Sequence, residues 1–279
     1  MKVRQYLEDN HRRIWMSAKK KHQRESYARV LAFCEFRQNG DYDIGDIRSN
    51  DVFVFVDHLV TDKGYKTSTA NRYKAALVTF FSDAENEGHR TRGIKVANYE
   101  EPKGRQYTFT HEEVERIVRW FRQSKAPYIA DMCILSYHTG MRLGEVLQIG
   151  YSAEFTTDED GDAVMRIFDT KNGDDRDVQL SKDAKKAADA LSGLYTYFNS
   201  HTFYELWADM RRQFGIRTKE FTFHAFRHTA ATFMANELKM NQSVLQDILG
   251  HRRPETTARY IKTLSSTKKK AAAKMPRVA

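Results

Sequence analysis

Between Gly88 and Gln106 the recurrence of apolar side chains stops. The stretch GHRTRGIKVANYEEPKGRQ holds glycines, Pro102 and many charges but no sustained apolar stripe. Helix-like periodicity exists on both sides of it, so the chain is predicted to build two cores, and 279 residues suffice for two domains of ordinary size. The predicted organisation is a basic N-terminal segment over 1–24, a helical domain over 25–88, a linker over 89–106, a second domain over 107–263 and a basic tail over 264–279.

In the first domain, apolar residues in SYARVLAFCEFRQNG recur at helical spacing until Gly40. Asn50-Asp51 can cap VFVFVDHLVTDKG, although its β-branched and aromatic run leaves helix and strand both open there. A further segment starts at Ser68 with a polar, cationic front, Thr69, Asn71, Arg72 and Lys74, and gathers its apolar residues towards Phe80 and Phe81. Short hydrogen-bonding groups and positive charge at one end suit a DNA-facing helix, so these four are candidate DNA-binding residues; an ordinary solvated helix start accounts for them equally well.

The second domain opens with Thr110-His-Glu-Glu113, a capping-box pattern ahead of EEVERIVRWFRQ. Pro127 then begins a buried helix, PYIADMCILSYHT, which Gly140 can end in a left-handed conformation, leaving Arg142 just past the helix. Residues 163–168 and 176–180 have strand character, and Lys171 falls in the turn between them. Helices are predicted over 182–191, 203–214, 223–238 and 242–249, with a short one from Pro254. The predicted fold class is therefore mainly α with a small β-sheet. The tail LSSTKKKAAAKMPRVA reads either as a cationic arm or as a helix that docks on a neighbour.

The net charge of +9 favours polyanionic partners, although a solvated basic surface would give the same number. Cys34 and Cys133 stand far apart with no ligand-like spacing, which argues against a disulfide framework and a zinc site. No signal peptide and no apolar run of membrane-spanning length occurs, so a cytoplasmic location with no membrane partner is expected.

The chemistry-bearing residues cluster late in the chain. Thr139-Gly-Met-Arg142-Leu-Gly-Glu145, His224-Ala-Phe-Arg227-His228 and Leu249-Gly250-His251 precede Tyr260, nine residues after His251. Cutting a phosphodiester by direct attack needs a nucleophile in line with the leaving oxygen, cations on the equatorial oxygens and a proton donor for the leaving group. Tyr260 is the candidate nucleophile, expected on an exposed face of its short helix, and Arg142 and Arg227 are the candidate phosphate clamp, their guanidinium forks matching two oxygens. His224 and Arg227, at i and i+3, share a helix face, and an imidazole can exchange the tyrosine's proton. His228 lies about 100° round the helix from Arg227 and is read as support or packing.

This set resembles the catalytic constellation of the tyrosine recombinases, the phage integrase family, with specific motifs confined to residues 139–260. The resemblance implies a helical core-binding (SAM-like) domain followed by a mixed α/β catalytic domain, the two closing on duplex DNA. It implies that His251 completes the clamp, that Glu145 supports Arg142, and that Lys171 protonates the leaving 5′ oxygen, with Lys182 a weaker alternative. The implied reaction is strand exchange through a 3′-phosphotyrosyl link and a Holliday junction, by four protomers on DNA attachment sites, with no metal, nucleotide or other cofactor. Accessory DNA-bending or directionality proteins are possible partners. An additional arm-reading domain is expected to be absent, which keeps an Xer-like resolution recombinase open beside an integrase of a phage or mobile element. A type IB topoisomerase and a non-catalytic DNA-binding protein are more distant alternatives.

Overall fold

The computed structural model describes residues 1–37, 42–90, 92–102, 106–168, 175–192 and 200–261. The chain divides into two compact units, Met1–Gly104 and Arg105–Ala279.

The first unit packs four helices, α1 (Val3–Ile14), α2 (Lys20–Phe36), α3 (Ser49–Thr61) and α4 (Thr67–Asn86). Residues 1–24 are not a separate basic segment: α1 buries Val3, Tyr6 and Leu7, at i, i+3 and i+4, in the same core as α2 and α4. The Tyr6 hydroxyl donates to Asp83 on α4 at 2.6 Å, and Arg13 bridges to the same carboxylate at 2.7 Å. The basic residues of this stretch lie on the opposite, wet face, which is why charge count alone hides the helix.

The segment VFVFVDHL is helix, because Val52, Phe55, Val56 and Leu59 form one buried stripe that a strand's alternation would split between two faces. Its cap differs from expectation by two residues: Asp51 sits at the third helical position and accepts from the Arg48 backbone N–H at 2.7 Å. On α4, Leu77, Phe80, Phe81 and Ala84 are buried.

Much of the predicted linker is docked on this first unit. Ile94 is buried in its core, Arg90 donates to the Ile44 carbonyl at 2.7 Å, and the Tyr99 hydroxyl donates to Asp57 at 2.6 Å. Asn71 grips the Tyr99 backbone from both sides, donating to its carbonyl and accepting from its N–H, each at 2.9 Å. Charged, glycine-rich sequence need not be free when a neighbouring helix supplies its backbone partners.

The second unit begins with α5 (His111–Arg122), capped as predicted: the Glu113 N–H donates to Thr110 Oγ1 at 3.2 Å and the Thr110 N–H to the Glu113 carboxylate at 2.8 Å. Next come α6 (Tyr128–Thr139), α7 (Leu143–Val146) and α8 (Ile149–Ser152). A three-stranded antiparallel sheet follows in sequence order, β1 (Glu154–Thr157), β2 (Ala163–Ile167) and β3 (Arg176–Gln179). Its register pairs Phe155 with Met165 and Met165 with Val178. β1 is short, and its exposed, threonine-rich EFTT shows no alternation that would mark it in sequence.

The remaining helices are α9 (Lys182–Ser192), α10 (Ser200–Gln213), α11 (His224–Asn236), α12 (Gln242–Leu249) and α13 (Pro254–Ala258). The nearly all-buried α6 is the central strut, packed against α5, α9 and α11. No helix among the described residues is long and apolar enough to cross a membrane. The tail over 264–279 and Lys171 lie outside the described residues.

Candidate active site

Two glycines shape the site. Gly140 ends α6 and Gly250 ends α12, both in the left-handed region, with φ of 69° and 61°. A helix end leaves carbonyls without partners and carries partial negative charge, which suits a cation. Here the cation is Arg227 from α11: it donates to the Gly140 carbonyl at 2.7 Å and the Leu249 carbonyl at 2.5 Å. A Cβ at Gly140 would stand 2.7 Å from Leu249, so the close approach of these two helix ends also requires glycine there.

Arg227 is 1% exposed, among the most deeply buried side chains of the molecule. Burial, followed by repulsion from Arg142, pushes its pKa down to about 9, which still leaves it protonated at neutral pH. Two of its five N–H donors are spent on the helix ends, and the guanidinium borders an open cleft of about 620 Å³. A buried cation with donors facing a cavity is poised for an anion.

Arg142 reaches the same cleft from the start of α7, 20% exposed at its side chain. Glu145, almost wholly buried, accepts from the Arg142 side chain at 2.6 Å and its backbone N–H at 2.9 Å. The carboxylate is shared: Arg176, the first residue of β3, also donates to it at 2.9 Å. Burial works to raise the Glu145 pKa, but Arg176 and Arg142 outweigh it and hold the carboxyl below its ordinary value. Glu145 thus balances part of a three-arginine cluster.

Arg176 also donates to the Ile248 carbonyl near the end of α12. It was not singled out from sequence, yet a signal exists. Strand alternation puts Arg176 on the face of buried Val178, and a charge on a buried strand face requires a partner.

His251 follows Gly250, and its Nδ1 lies 2.8 Å from the buried Thr257 hydroxyl of α13. Burial and then Arg227, Arg142 and Arg176 lower its pKa to about 4, so the ring is neutral. When Thr257 donates to Nδ1, the hydrogen of the neutral ring is on Nε2, the tautomer that a phosphate-oxygen donor requires.

Tyr260 follows α13 directly. Its ring stacks parallel to His251, with centroids 6.3 Å apart. The expectation of an exposed phenol is corrected: Tyr260 is only 4% exposed, and its hydroxyl lies 2.7 Å from His228 Nδ1. Its buried neighbours include Ala231, Ala235, Leu245 and Leu249, a small apolar cluster that draws the ring inward. Burial raises its pKa, with Arg227, Arg259 and Arg142 opposing.

His224, the first residue of α11, is exposed and lines the cleft, its ring edge-on to His228 with centroids 4.6 Å apart. His228 itself lines the cleft, and its Nδ1 lies 2.7 Å from the Tyr260 hydroxyl, so of support and packing, the two readings sequence left open, the contact is one of support. His228 is offset from Arg227 but is i+4 from His224, which places the two histidine rings on one face.

The structure therefore brings Arg142, His224, Arg227, His251 and Tyr260 to one cleft, with Glu145 behind them. The weaker lysine candidate, Lys182, is exposed at the start of α9 and is not among the residues lining that cleft. Among the described residues, no group of three or more His, Cys, Asp or Glu could hold a metal ion. In the first unit, Arg72 is exposed and Thr69 half-buried. Asn71 and Lys74 also turn to the docked segment, Asn71 donating to the Tyr99 carbonyl at 2.9 Å and Lys74 to the Val96 carbonyl at 3.2 Å.

Residues 107–266, more than half of the chain, match the model of the phage integrase family. The chain is similar to the shufflon-specific DNA recombinase of Escherichia coli, 28% identical over 207 residues that take in 72% of this chain and 52% of that protein. Transposase B from transposon Tn554 of Staphylococcus aureus is 28% identical over 163 residues, 51% of this chain and 26% of the transposase. The chain thus spans about half or less of the length of these curated relatives. Among solved structures, the Tn1549 transposon integrase in complex with circular intermediate DNA superposes with a TM-score of 0.73 at 16% identity, covering 99% of this chain and 100% of that one. A lambda integrase tetramer bound to a Holliday junction gives a TM-score of 0.73 at 19% identity, over 94% of this chain and 78% of that one. At such identities the likeness is one of fold.

Proposed function

The chain belongs to the phage integrase family, and from that premise we propose that it is a site-specific DNA recombinase of a phage or mobile element. It cuts and rejoins duplex DNA through a 3′-phosphotyrosyl intermediate at Tyr260. The observation that carries this reading is the convergence of Arg142, Arg227, His224, His251 and Tyr260 on one cleft.

A scissile phosphate entering the cleft meets the guanidinium groups of Arg142 and Arg227, which hold its non-bridging oxygens and carry the charge that builds up in the transition state. His251 adds a third donor from Nε2. Tyr260 Oη then attacks phosphorus: the P–Oη bond forms, the P–O5′ bond breaks, and the 3′ phosphate is left on the protein. The phenol's proton passes to His224, and the leaving 5′ oxygen takes one from Lys171. The steps run in reverse when a 5′-hydroxyl of a partner strand attacks the phosphotyrosine, so the bond energy of the broken strand is kept. No water is consumed.

The phosphate also explains why two arginines and a third behind them are packed together. Without it their mutual repulsion works against the fold, with Glu145 offsetting only part; with it, the cluster is neutralised. The first unit contributes DNA contacts through the exposed face of α4, around Arg72. Four protomers pair two duplexes and pass through a Holliday junction, as in the lambda integrase tetramer. Accessory DNA-bending or directionality proteins set the outcome, and the reaction takes place on DNA in the bacterial cytoplasm.

Strand exchange tests this reading. Covalent adducts are first mapped on genomic DNA around the encoding element, and the recovered site is placed on two separate duplexes. Recombinant duplexes and four-way junctions are expected with the wild-type chain and not with Tyr260→Phe. Relaxation of a single supercoiled duplex with no exchange between sites would point to a topoisomerase instead.

A further inference from the structure

The Tyr260 hydroxyl lies 2.7 Å from His228 Nδ1, within hydrogen-bond distance of a ring nitrogen on its own protomer's α11. We propose that His228 is a positioning residue for the nucleophile. As a neutral hydrogen-bond acceptor it holds the Tyr260 phenol at the wall of its own protomer's cleft, with the oxygen's lone pairs left for phosphorus. This rests on the recombinase reading and deepens it, since that reading assigns His228 no part.

Three observations support the assignment. First, the short contact joins residues 32 apart in sequence, so it is made by tertiary packing and not by local geometry. Second, the Tyr260 backbone is fixed as well: Asn236, two turns along α11 from His228, donates its side-chain amide to the Tyr260 carbonyl at 2.9 Å. One helix thus holds both ends of the nucleophile, ring tip and main chain. Third, the ring of His228 is hemmed in by His224, edge-on at a centroid distance of 4.6 Å, and by the Tyr260 ring at 5.7 Å, which restricts its rotation.

The bond favours holding over proton removal. Burial and the neighbouring Arg227 depress the basicity of His228, whose pKa falls to about 4, so the ring accepts a hydrogen bond without taking the proton. A phenol whose own pKa is raised stays protonated under the same conditions. The nucleophile is therefore aimed but unreactive until a phosphate enters; the hydroxyl hydrogen then turns from His228 to leave towards His224 at the open side of the cleft. A donor hydrogen turned towards His228 leaves the opposite lobe of Oη directed away from α11.

Two substitutions separate positioning from other roles. In His228→Asn the side-chain carbonyl takes the place of Nδ1, so an acceptor is kept but no proton can be taken. In His228→Leu the volume is nearly kept and the acceptor is lost. Single-turnover cleavage is measured on a nicked duplex carrying the mapped site, together with DNA affinity.

His228→Leu is expected to lower the cleavage rate on the order of tenfold, the equivalent of one hydrogen bond of about 1.4 kcal/mol, with affinity within about twofold of wild type. His228→Asn is expected to regain most of the rate. The defect in His228→Leu should persist on a duplex with a 5′-bridging phosphorothiolate, whose leaving group needs no acid, because the fault lies on the tyrosine side. Wild-type rates in His228→Leu, an Asn variant as slow as the Leu variant, or a matching loss of affinity would each overturn the proposal. A direct measurement does not depend on cleavage: the 15N signal of His228 Nδ1 in the free, full-length chain should shift in Tyr260→Phe, and an unchanged signal would also overturn it. Absence of any wild-type adduct, with the nitrogen shift present, would count against the recombinase reading and not against the hydrogen bond.

Discussion

Glu145→Gln is the substitution that most sharply tests the charge balance of the cluster. The carboxylate is 2% exposed and receives three donors: the Arg142 side chain at 2.6 Å, the Arg142 backbone at 2.9 Å and Arg176 at 2.9 Å. A glutamine of the same shape best places its single oxygen where it accepts from the Arg142 backbone and Arg176. Its amide nitrogen then faces the Arg142 guanidinium, donor against donor. One charge-assisted bond is lost and three arginines lose their shared counter-charge. Removing one partner of a buried pair costs about 3–5 kcal/mol. For a unit of this size that lowers the Tm by roughly 6–20 °C. Thermal unfolding of the full chain, followed by near-UV circular dichroism, reads the shift in the second unit through Trp120 and Trp207.

The pH dependence follows from the same carboxyl. Its folded pKa is held below the ordinary 4.5, so its stabilisation is fully present above that value and is lost as pH falls through the lower folded value. The gap between wild type and Glu145→Gln should therefore be constant near neutrality and close in acid. Bound DNA should also narrow it, because a phosphate supplies the missing negative charge. A variant that melts within about 1 kcal/mol of wild type at neutral pH would refute this account of the cluster.

Gly140→Ala should destabilise the second unit by about 2–5 kcal/mol, from the left-handed backbone and a Cβ 2.7 Å from Leu249; chemical denaturation checks the magnitude, and cleavage should fall too, since Arg227 hangs on that carbonyl. Asn71→Ala strips both backbone partners from Tyr99 at a cost of about 1–3 kcal/mol, and limited trypsinolysis should then cut faster at Lys95. Arg72→Ala should weaken DNA binding alike for all sequences and reduce the slope of log affinity against log salt by about 1; fluorescence anisotropy across a salt series measures both.

What could be read in sequence was what depends on local rules. Thr110 and Glu113 announce a cap because a capping box is satisfied within four residues, and Gly140 announces a helix end because its left-handed conformation suits few other residues. The mainly α fold class followed from helical spacing in the second domain. The site motifs likewise lay in short runs around Arg142, Arg227 and His251.

What escaped was tertiary. α1 hid behind its charges because only three buried residues mark it, and the stretch around Tyr99 looked free because its partners sit on α3 and α4. Tyr260 was placed on a surface because a five-residue helix does not reveal which side a later ring will seek; its burial depends on Ala231 and Leu249, on the two preceding helices. Arg176 was passed over, and the side chain that His228 supports went unidentified, because each serves another side chain and such service shows only once the partners meet.

The most direct measurement is the chemical identity of the protein–DNA link. Wild-type chain is incubated with a nicked duplex bearing its site, the mixture is denatured and digested, and the cross-linked peptide is sequenced by mass spectrometry. The expected result is a peptide carrying a nucleotide 3′-phosphate on the Tyr260 oxygen, absent from Tyr260→Phe although that variant still binds the DNA. A link at another residue, a link through a 5′ phosphate, or strand cleavage by the Tyr260→Phe chain would contradict it.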